Sequence, residues 1–263
     1  MIDFAAFPLM AILFASIAAL MAAAEIGHHF GARATGEANV TTLEAAILGL
    51  LALMLGFTFS MSLARFDARR DAVLNEANSI ETAALRARLL PAPYDQESLK
   101  LLREYAQIRL DYGASAMTPG EASPVIAHSN EIQEALWLRA KAVAAKDNAM
   151  VPVGVYIQSL NEMFDNQEKR LTALRNRVPN IVFTALYGIA IVAIGFSAFS
   201  SGLESRQWRL PVYIMSVLSA AVILLIQDID RPNAGFISVS QQPMADTASS
   251  ISGYLAQFEK RAP

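Results

Sequence analysis

The chain has 263 residues, of which 54% are hydrophobic and only 17% are Asp, Glu, Lys or Arg, against about a quarter in an average soluble protein. Its formal net charge of -3 excludes the strongly basic surface typical of nucleic-acid-binding proteins. It contains no cysteine, so disulfides, thiolate metal sites and cysteine nucleophiles are excluded as well.

Four apolar stretches account for the excess of hydrophobic residues. They cover residues 4–24, 45–64, 181–200 and 210–226, close to the ~20 residues that cross a bilayer as a helix. The sequence Ala22-Ala23-Ala24 resembles a signal-peptide cleavage site. A signal peptide begins with basic residues, however, and the only charge before the first stretch is Asp3, so we expect a retained helix. We therefore predict an all-α, polytopic membrane protein with four transmembrane helices.

The second stretch continues into a charged sequence, RFDARRDAVLNEAN, without a proline or a turn signal. One helix is therefore predicted to cross the membrane and extend into the cytoplasm. The predicted organisation is helices 1 and 2 in 1–64 with an outer loop at 25–43, a cytoplasmic helical domain in 65–178, helices 3 and 4 in 179–227, and a cytoplasmic C-terminal segment in 228–263.

Basic residues near the ends of the spans predict the orientation of the chain. Most of them flank the middle segment or follow the fourth span, whereas the two short loops on the other side carry Arg33, Arg206 and Arg209. Because Lys and Arg accumulate on the cytoplasmic side, we expect both termini and the middle segment in the cytoplasm.

The middle segment shows helical periodicity. Apolar residues recur at spacings of three and four, first at Val73, Ala77, Ile80 and Ala84, which predicts a packed bundle. Residues 113–127 are predicted to form a loop, Ser129 or Asn130 to cap the next helix, and 152–177 to form the last helix of the domain. A short extended piece at 236–239 is expected before a final amphipathic helix.

Motifs of enzymes are absent from the sequence. It has no Gly-rich phosphate loop, no His-Glu-x-x-His zinc pattern and no Gly-x-Ser-x-Gly elbow. His28 and His29 are adjacent, and His128 is predicted to lie in a loop without a partner nearby. We therefore do not expect an enzyme.

Small residues follow one another along the second span. Ala52, Gly56, Ser60 and Ala64 are spaced by four, with Ala45 and Gly49 before them. Such a ladder favours close packing of helices, or it lines a pore between subunits, where Phe57 and Phe59 would form a hydrophobic constriction. Glu44, at the outer end, is either a selectivity charge or an interfacial carboxylate. The pore-lining candidates are Glu44, Gly49, Ala52, Gly56, Phe57, Phe59 and Ser60.

Charged residues cluster at the inner ends of the second and fourth spans. One interpretation is an ion-pair collar that fixes the two helix ends, with Arg65, Asp67, Arg69, Arg70 and Arg231 as its members. The pattern Asp228-x-Asp230, followed by Asn233 and Gly235, also has the oxygen-rich character of a Ca²⁺ loop. Asp228 and Asp230 are therefore candidate metal ligands.

Two blocks of sequence carry a resemblance to a known family. Residues 55–91, LGFTFSMSLARFDARRDAVLNEANSIETAALRARLLP, and residues 227–244, QDIDRPNAGFISVSQQPM, resemble the bacterial bestrophin-like family of membrane proteins. That family is distantly similar to bestrophins, which are pentameric, Ca²⁺-linked anion channels with four membrane helices and cytoplasmic termini. The resemblance implies a homo-oligomer in the bacterial inner membrane, with inorganic ions and lipid as partners and Ca²⁺ as a candidate cofactor at Asp228 and Asp230.

Two functions from different classes follow. The first hypothesis is a bestrophin-like ion channel with its pore formed between subunits by the second helix. The alternative is a membrane-anchored interaction or signalling module that does not conduct, in which the ladder serves packing and the cytoplasmic helices bind a partner. No nucleic acid is expected as a partner in either case.

Overall fold

The computed structural model describes residues 4–34, 40–115, 119–146, 151–203, 209–232 and 235–259. This part of the chain contains helices and no strand. One turn of 3-10 helix, Phe4–Ala6, precedes the α-helices, which are α1 (Leu9–Gly31), α2 (Val40–Ala87), α3 (Tyr94–Ala114), α4 (Pro119–Lys146), α5 (Val151–Arg175), α6 (Asn180–Leu203), α7 (Leu210–Asp230) and α8 (Gln242–Glu259).

Helices α1, α2, α6 and α7 each contain a stretch long and apolar enough to cross a membrane, with a mean hydropathy of 2.1 to 2.2. The predicted all-α membrane protein with four spanning helices is thus confirmed. The continuation of the second helix is confirmed as well, since α2 runs without a break for 48 residues. At 1.5 Å per residue its length is about 70 Å, more than twice the thickness of the hydrocarbon core.

The chain divides into two compact units. The membrane unit comprises Met1–Phe66, Arg177–Arg231 and Gly235–Ile237, and the bundle unit comprises Asp67–Asn176, Pro232–Ala234 and Ser238–Pro263. Within the membrane unit, α1 packs against α6 and α7, and α6 against α7. Within the bundle unit, α3 packs against α4 and α8, and α4 against α5.

Glycines bring the backbones of α1 and α6 into direct contact. A Cβ atom on Gly27 would overlap the carbonyl group of Gly195, and one on Gly202 would lie 2.6 Å from the carbonyl oxygen of His28. Helices in lipid gain stability from van der Waals packing of this kind, because lipid tails provide no hydrophobic driving force between them. The α1–α6 pair is therefore the tightest helix contact that the glycines of the membrane unit report.

The predicted apolar stripes form the core of the bundle unit. Val73, Ala77, Ile80 and Ala84 are all at most 3% exposed, which confirms the face of α2 that the periodicity predicted. The final amphipathic helix is also confirmed, since Met244, Ile251 and Leu255 of α8 are buried in the same core.

Two predicted loops are wrong because they are largely helical. Within 25–43, α1 continues to Gly31 and α2 already begins at Val40; residues 25–31 contain no proline, and Gly27 and Gly31 lie against the backbone of α6. Within 113–127, α4 begins at Pro119 rather than at a cap near Ser129. Pro124 lies inside α4, where its ring removes one main-chain hydrogen bond, and the helix continues through it.

The glycine contact between α1 and α6 predicts that adding a methyl group destabilises the protein at Gly27 but not at Gly188. Gly27→Ala should lower the free energy of unfolding by about 1–3 kcal/mol, because the methyl group overpacks the contact with the Gly195 backbone. Gly188→Ala in α6 is the matched control, since no atom lies within 4 Å of its Cβ position. Thermal unfolding of both variants in detergent checks this, and equal melting temperatures would contradict the close approach.

Candidate functional site: the uncovered face of α2 and the buried charges

The small-residue ladder of α2 faces away from the rest of its own chain. Only 17% of the apolar stretch of α2 is buried, against 28% to 39% for the other three spanning helices. Ala45, Gly49, Ala52, Gly56, Ser60 and Ala64 are all exposed. No atom lies within 4 Å of the Cβ position of Gly49 or Gly56. The ladder is therefore not a packing surface inside the chain, and it is available to a neighbouring subunit or to a pore.

The larger candidates on α2 are also uncovered. Phe57 is 61% exposed and Phe59 is 37% exposed, while Glu44 is half-buried. Thr58 and Ser62, two further hydroxyl residues of the same span, are instead buried against the chain's own helices. The Thr58 hydroxyl donates to the Met54 carbonyl oxygen at 2.7 Å, so its hydrogen-bonding capacity is used within α2. These two hydroxyls do not belong to the exposed face.

Asp228 and Asp230 bind main-chain N–H groups. The N–H groups of Phe236 and Ile237 donate to the Asp228 carboxylate at 2.8 and 3.2 Å. The Val178 N–H donates to both oxygens of Asp230, at 3.0 and 3.1 Å. A Cβ on Gly235 would overlap an oxygen of Asp228, so this close approach requires glycine.

The predicted calcium site is built on the same two carboxylates. Ca²⁺ takes six to eight oxygen ligands, and no group of three or more His, Asp or Glu side chains in the described residues is placed to hold a metal. Asn233, the further candidate, lies outside the described residues. With N–H donors directed at both carboxylates, Asp228 and Asp230 fit main-chain capping better than a cation site. The calcium site stays a prediction.

The charges of the predicted collar have local contacts. The Arg65 guanidinium donates to the Met61 carbonyl oxygen at 3.4 Å, and Arg70 lies 4.0 Å from Asp67, both being largely exposed. Arg69 is buried. Arg231 donates to the carbonyl oxygens of Phe4 and Phe7 at 2.7 and 2.8 Å. The collar that would join the ends of the second and fourth spans stays a prediction.

A buried ion cluster in the bundle unit was missed by sequence reasoning. Glu76 of α2 accepts from Arg109 of α3 at 2.6 Å and from Arg170 of α5 at 2.5 Å. All three side chains are at most 2% exposed. Burial by itself lowers the pKa of Arg109, but the charge and hydrogen bond of Glu76, together with Tyr105 and Tyr112, outweigh burial and raise that pKa above its ordinary value. Arg109 is therefore charged inside the core.

The cluster extends to the start of α8 and to a second polar group. Arg170 also donates to the Gln241 side-chain oxygen at 2.8 Å. Position 113 requires glycine, because a Cβ there would overlap both of these side chains. Nearby, the Tyr105 hydroxyl donates to Gln167 at 2.5 Å. Burial, assisted by the Glu76 charge, raises the pKa of Tyr105 far above its ordinary value, so Tyr105 remains a donor.

The sequence did contain a signal for this cluster. Glu76 lies three residues after Val73 and four before Ile80, on the buried face of α2, and Arg109 lies one heptad after Leu102 on that of α3. A charge inside an apolar stripe indicates a buried partner, because an unpaired buried charge is too costly. The identity of the partner is set by tertiary packing.

His128 was predicted to lie in a loop without a partner, and this is wrong. It belongs to α4, and its ring nitrogens lie 3.3 Å from Glu104 of α3 and 3.2 Å from Glu131 of α4. Because each nitrogen faces a carboxylate, both carboxylates accept a hydrogen bond when both ring nitrogens carry a proton. The hydrogen bond to Glu131, assisted by the charge of Glu104, raises the pKa of His128. The ring thus connects α3 and α4 in its charged form.

A comparison with known proteins assigns the fold to membrane proteins of the bestrophin type. The sequence matches the Bestrophin-like domain over residues 9–244, so the chain belongs to the bestrophin-like family. No curated protein matches the sequence.

Solved structures share the fold of this chain. A bacterial bestrophin homologue from Klebsiella pneumoniae superposes with a TM-score of 0.69 at 14% identity, covering 97% of this chain and 100% of that one. A point variant of that homologue gives 0.68 at 14% identity and covers 96% and 99%. A crystal structure described as a membrane protein with one substitution gives 0.67 at 14% identity and covers 97% and 99%. At these identities the likeness establishes the fold.

Breaking the Glu76 cluster should be severe. Glu76→Gln leaves two buried guanidinium groups without their counter-charge, so we expect the free energy of unfolding to fall by about 3–5 kcal/mol. The matched control is Glu97→Gln, which removes an equally short but half-exposed pair with Arg139 and should cost less than about 1 kcal/mol. Chemical denaturation of the full chain in detergent measures both, and similar losses would contradict a special role for Glu76.

The His128 bridge predicts a pH dependence. Since the folded pKa of His128 is raised, its contribution to stability is fully present below the ordinary histidine pKa of about 6.5 and disappears as pH rises through the raised folded value. Melting temperatures of the wild type and of His128→Gln should therefore differ most at acidic pH and converge at alkaline pH. A difference that is independent of pH would show that the ion pairs do not form.

Proposed function

We propose that this protein is an ion channel of the bacterial inner membrane, in which several copies of the chain surround a pore with their α2 helices. Both termini are cytoplasmic in this proposal, as the distribution of basic residues favours. If the assembly follows the bestrophins, it is a pentamer. The supporting observation is the face of α2, where a continuous ladder of small residues is covered by nothing in its own chain.

A pore between subunits suits the composition of the spanning helices. The apolar stretches of one chain offer no charged route across the bilayer, so a conduit would need surfaces from several copies. The exposed Ser60 hydroxyl and the half-buried Glu44 carboxylate lie on a helix with the exposed rings of Phe57 and Phe59. Polar groups beside a ring of large apolar side chains are one way to build a gate that closes by dewetting.

The same face could instead serve contact between helices. In the alternative function, the α2 helices of neighbouring copies would meet at the symmetry axis through the glycines, and the assembly would anchor an interaction module without conducting. The small residues are compatible with both arrangements. Accessibility of the face to water distinguishes them.

The absence of cysteine makes this test direct, since the wild type is already a thiol-free background. We expect Ser60→Cys and Gly56→Cys channels, reconstituted in liposomes, to lose most of their ion flux on treatment with a charged, membrane-impermeant thiol reagent. To react with these thiols, the reagent has to reach the ladder through water. Ala221→Cys is the control, because it is an exposed position on α7, and its flux should stay unchanged.

Two results would contradict the proposal. Wild-type protein that never carries ions, over a range of voltage and Ca²⁺, would favour the anchored module. Flux that is normal in both ladder variants after treatment, with the introduced thiols shown to be unmodified, would place the pore elsewhere.

A further inference from the structure

The membrane unit contains a groove between α1 and α6 that the pore proposal does not use. Its volume is about 650 Å³. Ala11, Ala15 and Ala19, spaced by four, form the α1 wall, while Thr184, Gly188 and Ile191 form the α6 wall. The groove is therefore a trough lined by small and apolar side chains along two membrane-spanning helices.

One end of the groove is closed by the segment before α1. The Phe4 ring stacks on Tyr187 with 5.6 Å between ring centroids and meets the edge of Phe183 at 6.1 Å. Arg231 donates to the carbonyl oxygens of both Phe4 and Phe7 and so fixes this segment in place. A buried arginine used in this way indicates that the closure is a built feature of the fold.

The walls of the groove offer an occupant few free hydrogen-bonding groups. Its three hydroxyls have partners within the chain, since Ser16 and Tyr187 are 2.9 Å apart and Ser16 also bonds to the Ile12 carbonyl oxygen at 2.6 Å. The Thr184 hydroxyl donates to the Asn180 carbonyl oxygen at 3.0 Å. A water molecule needs two to four polar partners to occupy a cavity, and the remaining walls offer few. Because the groove runs along two membrane-spanning helices, the medium that reaches it is hydrocarbon.

We propose that the groove binds one acyl chain of a membrane phospholipid. Its volume is roughly four times that of the ~150 Å³ apolar cavity that accommodates a six-carbon benzene ring, so it has room for on the order of 20 carbon atoms. This matches a single fatty-acid chain. The chain would lie along the alanines of α1, and Phe4 and Phe7 would contact one of its ends.

The experiment fills the groove from either wall. Ala15→Leu on α1 and Gly188→Leu on α6 place an isobutyl group in the trough; Ala15 is exposed and no atom lies within 4 Å of the Cβ position of Gly188, so both variants have room to fold. Ala221→Leu on the exposed face of α7 is the matched control. Protein extracted in mild detergent is examined by native mass spectrometry for retained phospholipid.

We expect the wild type and Ala221→Leu to retain one tightly held phospholipid per chain and both groove variants to lose it, with the subunit number and the melting temperature unchanged. Equal lipid retention in all four proteins would overturn the proposal, and so would its absence from the wild type. A groove variant that changes the subunit number would show instead that a second copy occupies the groove. None of these results depends on whether the protein conducts.

Discussion

Within the bundle unit, the carboxylate of Glu76 accepts hydrogen bonds from two guanidinium groups that reach it from different helices. Aliphatic core residues tolerate exchange when their volume is kept, whereas three charges out of water are stable only while they remain paired. The positions of α2, α3 and α5 relative to one another are thus constrained by a few short bonds. Gln241 adds the start of α8 to the same constraint.

The end of the membrane unit where α7 finishes uses charged side chains for another purpose. Asp228, Asp230 and Arg231 bind N–H and carbonyl groups of segments that lie outside the α-helices. Main-chain groups near hydrocarbon have to be paired within the protein, and helix ends leave several without a partner. Residues that resembled a cation loop in the sequence therefore bind main-chain groups in the structure, because a carboxylate can accept a hydrogen bond from an N–H group as well as bind a metal.

Sequence reasoning succeeded where a single periodicity decides the outcome. The four spans follow from length and hydropathy, and the buried face of α2 follows from the spacing of Val73, Ala77, Ile80 and Ala84. It failed where the partner comes from elsewhere in the chain. The contact of Gly27 with Gly195, the ion cluster of Glu76 and the bridge at His128 each join different helices, and the pattern of one helix does not contain its neighbour. The ladder was recognised, but its direction depended on which side of α2 the other helices cover.

The backbone contact of α1 with α6 has a consequence for biogenesis. Three of the four spanning helices already have close partners in their own chain, while the glycine and alanine face of α2 is apolar enough to rest against lipid without a penalty. In the proposed channel, a newly inserted subunit would therefore make these contacts before it meets another copy. Association through α2 would then be a late and concentration-dependent step, limited by encounters between finished subunits.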